Sequence, residues 1–332
     1  MVSKMEEMII NFPTQLREAL GIGESVTIKA HYQTITRIYA IGMGGSGIGS
    51  DFVASFIADE CTIPYGIGKS YQIPAWVDSN TLCIAGSYSG NTEETLSALA
   101  MAEKAGAKIV VITSGGSLQA LAEERGFDMV LLPDTWTSPR ACVGYAIVCQ
   151  LEILNRLACI SRKKIDLIKS SIDLIKYDMD EIRSKAEKIA KILFGKMPVI
   201  YVEDRMEPVA LRFRQQLNEN SKVLSWHNVF PEMTHNELVG WTQKTNDLAV
   251  VIFRNKDDHK RNMSRIDISR DILAKYSNTV IEIFSKGQSL VEKSIYLLHL
   301  SDWISYYLAV LQNVDPVEIK VIDVLKKKMS EI

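Results

Sequence analysis

Residues 39–52 read YAIGMGGSGIGSDF, an apolar strand running into a glycine-rich turn and then into a helix-forming run expected to begin near Ile48. Gly42-Met-Gly44-Gly-Ser-Gly47 has the G-x-G-x-x-G spacing that brings a dinucleotide pyrophosphate onto a helix N-terminus. Such a site also needs an acidic residue at the end of the second strand, about 20 residues on, for the ribose hydroxyls. Here the second strand falls within CTIPYGIG (61–68), and Asp59 and Glu60 come before it. The turn is therefore read without a nicotinamide or flavin cofactor. It offers its backbone, at Gly45 and Ser46, to a small polar or anionic ligand.

Outward from this turn the chain alternates. RIYAIG (37–42), TLCIAG (81–86), KIVVIT (108–113) and DMVLLP (128–133) are short apolar runs separated by helix-length stretches. Buried parallel strands with crossover helices have this pattern. VGYAIVCQLEILNRLA (143–158) reads as a buried helix, and a polar helical stretch over 160–192 follows it. The alternation restarts with VIYVED (199–204), LAVVIFR (248–254) and NTVIEIF (278–284). The expected fold is α/β: two three-layer α-β-α sandwich domains with parallel, flavodoxin-like doubly wound sheets, over 1–160 and 161–332.

Composition narrows the function. The 332 residues carry a net charge of −2 and no basic run, which disfavours nucleic acid as a partner. Glu6 and Glu7 stand where a signal peptide needs an apolar core, and no run approaches the ~18 apolar residues of a membrane span, so a cytoplasmic protein is expected. Five cysteines without a C-x-x-C pair indicate neither a zinc site nor a disulfide framework.

The second informative stretch is AGSYSGNTEETLSALAMAEKAGA (85–107). Ser87, Ser89 and Thr92 crowd the end of a strand, and Asn91 with Glu94 predicts a capping box at the start of the next helix. Three hydroxyls and unpaired N–H groups at the positive end of a helix hold a phosphate monoester without lysine or metal. TSGGSLQA (113–120) ends the next strand and is expected to wall the pocket or support the first loop.

GMGGSG, GSYSGNTEET and TSGG in this order resemble the sugar isomerase (SIS) domain. SPRACVGY (138–145), LNENSK (217–222), FPEMTHNELVGW (230–241) and VDPVEIKVIDVLKKKM (314–329) extend the resemblance, over nearly the whole chain, to the bifunctional phosphoglucose/phosphomannose isomerase family. The resemblance implies interconversion of glucose 6-phosphate, and of mannose 6-phosphate, with fructose 6-phosphate through a cis-enediol, with no metal or cofactor. It implies a homodimer with the active site shared between subunits. A carboxylate, an acid/base group near the ring oxygen and a cation suffice for that chemistry.

Four residues match these roles. Glu219 stands at a helix end, where a carboxylate is electrostatically disfavoured and suited to accept a proton, and the resemblance makes it the proton-transfer base. His235 is expected at the first position of a helix capped by Thr234 and Glu237, and the resemblance places it in the partner's site. Arg140 is expected at a loop edge facing a cleft, where the resemblance implies that it stabilises the enediolate. Lys326 lies at the edge of the face formed by Ile319, Ile322, Leu325 and Met329 on a helix started by Asp315-Pro316, and it best matches the family's C-terminal lysine. Lys327 and Lys328 adjoin it, which leaves the register open by one. His31, His227, His259 and His299 carry no comparable signal. A non-catalytic phosphosugar sensor would keep the hydroxyl turn and lack this set.

Overall fold

Both strand series form. The computed structural model describes residues 3–28 and 34–331, so His31 lies outside the described residues. In chain order the elements begin with α1 (Lys4–Ile10), α2 (Phe12–Ser25), β1 (Arg37–Gly42), α3 (Gly44–Ile57), β2 (Tyr65–Gly68), β3 (Thr81–Ser87) and α4 (Glu93–Lys104). They continue with β4 (Lys108–Thr113), α5 (Gly116–Arg125), β5 (Asp128–Leu131), α6 (Val143–Arg156), α7 (Lys163–Tyr177) and α8 (Met179–Leu193). The second series is β6 (Met197–Glu203), α9 (Glu207–Glu219), β7 (Trp226–Phe230), β8 (Leu248–Arg254), α10 (Lys260–Leu273), β9 (Val280–Phe284), α11 (Leu290–Leu311) and α12 (Lys320–Met329).

Among the described residues the chain divides into two compact units. An N-terminal unit comprises Ile10–Lys176 with Ser289–Glu292, and a C-terminal unit comprises Tyr177–Gln288, Lys293 onward and the residues up to Ile9. The division falls at 176/177 where 160/161 was expected, because the 160–192 stretch is two helices. Lys164 of α7 pairs with Asp59, and Arg162 with Glu24 and Glu152, which ties α7 to the first unit. Arg183 of α8 instead pairs with Glu6 of α1.

The N-terminal sheet has the order β2-β1-β3-β4-β5, parallel throughout, which is the flavodoxin order. Alternate residues serve opposite faces. Tyr39, Ile41, Cys83, Ala85, Ile109 and Val111 bury Ala98 and Leu99 of α4 and Leu118 of α5. Ile84 and Ile112 look across a cavity at Ala146 and Gln150 of α6. Chain order reverses between β1 and β3, and ligands of open α/β sheets bind at the carboxyl ends of such strands.

The C-terminal sheet has the order β7-β6-β8-β9, again parallel. Val250, Val251, Ile252 and Phe253 are at most 1% exposed, as a strand covered on both faces requires. α10 packs on one face through Ile266 and Leu273. α9 packs Phe213 edge-on against Phe253 at 5.8 Å, and its buried Arg212 pairs with buried Asp302 of α11 at 3.1 Å. Among the described residues no helix is long and apolar enough to cross a membrane.

Candidate active site

The hydroxyl-rich turn forms a cradle at the carboxyl end of β3. Ser87 Oγ and Thr92 Oγ1 lie 2.8 Å apart, and Ser89 is exposed beside them. Thr92 is the N-cap residue of α4, and no side chain caps the helix there. The expected Asn91–Glu94 capping box does not form, because the Asn91 carbonyl accepts instead from Ser117 N and Ser117 Oγ, both at 3.0 Å. The first-turn N–H groups of α4 thus face the cradle without an internal side-chain acceptor. The following loop supports this one: Ser114 donates to Tyr88 O through both N and Oγ, and Leu118 N donates to Gly90 O. A Cβ on Gly90, whose φ is +70°, would stand 1.8 Å from Gly115 O, so the two loops interlock only with glycine there.

The opening turn flanks the cradle. α3 begins at Gly44, earlier than the expected start near Ile48, so Gly45 and Ser46 belong to its first turn. A Cβ on Gly45 would come within 2.9 Å of Pro139 O and 3.3 Å of the Arg140 Cα, so the missing side chain lets the arginine turn close on the helix. Gly45, Ser46, Gly86, Tyr88, Pro139 and Cys142 line a small cavity beside this turn.

Arg140 is not at a loop edge. It is 6% exposed, in a 3₁₀ turn spanning Pro139–Cys142. Three residues given no role from the sequence hold that turn and the segment entering it. Gln15 of α2, 0% exposed, donates to Ala141 O at 2.8 Å and accepts from Gly144 N at 2.9 Å, so it caps α6 from another helix. Tyr145 donates to Glu18 and accepts from Trp136 Nε1, which holds the segment entering the turn. Tyr88 OH receives Trp136 N at 3.1 Å and donates to Pro133 O at 2.6 Å. A tyrosine between two serines gave no signal of this role in sequence.

Glu219 is the last residue of α9, as expected, and half-buried. The asparagine and serine after it anchor the helix end: Asn220 Nδ2 donates to Ser305 Oγ at 3.0 Å and Ser221 Oγ to Ser305 O at 2.6 Å. Lys222 Nζ donates to the backbone carbonyls of Glu219, Asp315 and Glu318, at 2.6, 2.9 and 2.8 Å. A cation on the last carbonyls suits the negative end of a helix, and here it also ties down the segment leading to α12.

His235 and Lys326 depart from expectation. His235 is the last residue of a 3₁₀ turn, Glu232–His235, with Pro231 at its N-cap position, and not the first residue of a helix. The Thr234–Glu237 capping box is absent: Thr234 Oγ1 donates to Pro231 O at 2.6 Å, and Glu237 accepts from Tyr201, Trp226 and Asn228. His235 is exposed. α12 begins at Lys320 and not at Asp315-Pro316, because Asp315 Oδ1 accepts from Val317 N and forms a separate turn. No residue of α12 is buried, so Lys326 lies on an exposed helix whose apolar face includes Leu325 at 60% exposure.

The structure therefore groups Gly45, Ser46, Ser87, Ser89, Thr92 and Arg140 in the N-terminal unit, and Glu219, His235 and Lys326 in the C-terminal unit. Within the latter, Glu219 and His235 are at opposite ends of the sheet. α9 runs back from the carboxyl end of β6 over 13 residues, about 20 Å, and β7 returns to the end where His235 lies.

Residues 32–148 match the SIS domain family, and residues 182–329 match the bacterial phospho-glucose isomerase C-terminal SIS domain. A bifunctional phosphoglucose/phosphomannose isomerase of Caldicellulosiruptor bescii is 37% identical over 99% of both chains. One from Aquifex aeolicus is 33% identical over 87% of this chain and 89% of its own. The chain belongs to the bifunctional phosphoglucose/phosphomannose isomerase family. The C-terminal domain of glucosamine-fructose-6-phosphate aminotransferase from Francisella tularensis has the same fold, with a TM-score of 0.77 at 15% identity, covering 96% of this chain and 99% of that one. Membership in the family accounts for two SIS units in one chain.

Proposed function

We propose that this protein is a metal-independent aldose–ketose isomerase of the cytoplasm. It interconverts glucose 6-phosphate, and mannose 6-phosphate, with fructose 6-phosphate through a cis-enediol. The observation that carries this reading is the cradle of Ser87, Ser89 and Thr92 at an uncapped helix N-terminus, closed on one side by the Gly45–Arg140 contact. The hydroxyls and N–H groups hold the phosphate, and Arg140 stabilises the enediolate. Glu219 carries the proton between C2 and C1, and both aldoses converge on one enediol once C2 is planar. Lys326 lends a second cation.

The homodimeric arrangement is part of the proposal. His235 is at the other end of the sheet from Glu219, too far for both to reach one hexose. His235 of the partner subunit therefore exchanges the proton that opens the ring. A non-catalytic sensor would have no use for a carboxylate at the end of α9.

The test supplies glucose 6-phosphate and mannose 6-phosphate separately to chelator-treated protein and measures fructose 6-phosphate. Both are expected to be converted, and Glu219→Gln should lower kcat about 10³-fold while leaving phosphosugar binding intact. Inertness to both sugars favours the sensor, and activity lost on chelation overturns the metal-free route.

A further inference from the structure

We infer that Glu237 is the positioning residue of His235, and that it acts in trans, on the site holding the partner subunit's Glu219. This rests on the isomerase reading above and extends it to a residue with no assigned role. Glu237 is half-buried and its two oxygens accept three donors from two strands. Oε1 receives Tyr201 OH of β6 at 2.5 Å and Trp226 Nε1 of β7 at 3.0 Å, and Oε2 receives Asn228 Nδ2 of β7 at 2.6 Å. Tyr201 OH in turn accepts from Trp241 Nε1 at 3.0 Å, so the far end of the loop meets the same point.

On the other side of His235 the loop is equally fixed. Phe230 and Met233 are 0% exposed, and Thr234 Oγ1 accepts from Arg265 at 3.1 Å. Only His235 and Asn236 stand exposed between Thr234 and Glu237, so the imidazole is carried on a two-residue span between anchors. Apolar burial by Met233 and Trp241 already closes the loop on the core. What the carboxylate adds is direction, since charge-assisted bonds to three donors in different orientations admit one placement of the chain. With its oxygens so occupied, Glu237 is poorly placed to move a proton itself. A glutamine offers one carbonyl and turns an NH2 towards a donor, which loosens the span while keeping its volume.

Steady-state conversion of glucose 6-phosphate by the full chain tests this. Glu237→Gln is expected to lower kcat on the order of 10- to 100-fold, the cost of a catalytic group misplaced by about an ångström, with KM within about 2-fold. Added to His235→Asn, it should cause no further loss, because both changes act through one ring. Multiplying losses, a raised KM or an unchanged kcat would overturn the positioning role. His235→Asn with normal turnover would overturn instead the role given to the histidine. Should Glu237→Gln fail to fold, Asn228→Ala and Trp226→Phe each remove one donor, and the same kcat loss absorbed by His235→Asn is expected of both. Co-expression of Glu219→Gln with Glu237→Gln chains reads out the trans geometry. Random pairing leaves about one quarter of all sites intact, so activity should rise well above either variant alone. No rise means that the two residues serve one site within a chain, or that no dimer forms, and either result overturns the trans assignment.

Discussion

The two sheets run in the same order, first strand inside the second, then third and fourth, yet their carboxyl ends carry opposite chemistry. Where β1 and β3 end, the N-terminal unit places Gly45, Ser46, Ser87, Ser89 and Thr92. Where β6 and β8 end, the C-terminal unit places Glu203, Asp204, Asp257 and Asp258, with Lys293 drawn to Asp257. The first end is lined by glycines and hydroxyls, and the second gathers four carboxylates beside Arg205, Arg254 and Lys256. The fold supplies a ligand position twice, and the phosphate cradle proposed above uses only the first. The C-terminal unit's candidate chemistry has moved to the far end of α9 and to the loop after β7.

The contrast is broken most severely by moving the acid. Ser89→Asp puts a carboxylate into the cradle at an exposed position that the fold tolerates. Two like charges about 4 Å apart in a half-solvated setting repel by up to ~4 kcal/mol. Phosphosugar KM is expected to rise on the order of 100-fold, about 2.7 kcal/mol, with the melting temperature unchanged. An unchanged KM would move the phosphate away from Ser87, Ser89 and Thr92.

A smaller effect is expected one step back from the ligand. Gln15→Ala leaves Ala141 O and Gly144 N without their partner beneath the Arg140 turn. The expected cost is about 2 kcal/mol of stability, together with a fall in kcat that exceeds the change in KM, because Arg140 loses its placement while the cradle stays whole. Urea denaturation and steady-state kinetics check the two parts. If kcat is untouched, Gln15 is only a helix cap.

Much of this was legible in the sequence, for a physical reason. RIYAIG, TLCIAG and LAVVIFR are strands buried on both faces, and a continuous Val/Ile run between glycines admits few other readings. The glycine and hydroxyl turns were legible because tight strand-to-helix turns and helix starts need those residue types at short spacing. The helix starts were not. Capping boxes were predicted at Asn91 and Thr234 from spacing alone, but the asparagine carbonyl and the Glu237 carboxylate are claimed by partners 26 and up to 36 residues away in sequence. Gln15 lies 126 residues from the turn it holds, and no local pattern announces such a bond.

The smallest expected effect lies at the acidic end of the second sheet. Burial first, and then neighbouring Asp204 and Asp258, push the Glu203 carboxyl up to about 7, far above the ordinary glutamate value near 4.5. A carboxyl that holds its proton more tightly when folded makes the folded state bind more protons than the unfolded chain between about pH 4.5 and 7. Its contribution to stability therefore declines as pH rises through that window, and the full penalty of the ionised side chain is present above about pH 7. Glu203→Gln removes the penalty. The variant should match the parent near pH 5 and exceed it at pH 8 by about 1 kcal/mol, the shift being discounted for the residue's partial exposure to solvent. Melting curves at the two pH values measure this directly. A Glu203→Gln gain that is the same at both would mean that packing, and not the charge gathered at this end of the sheet, sets the difference between the two units.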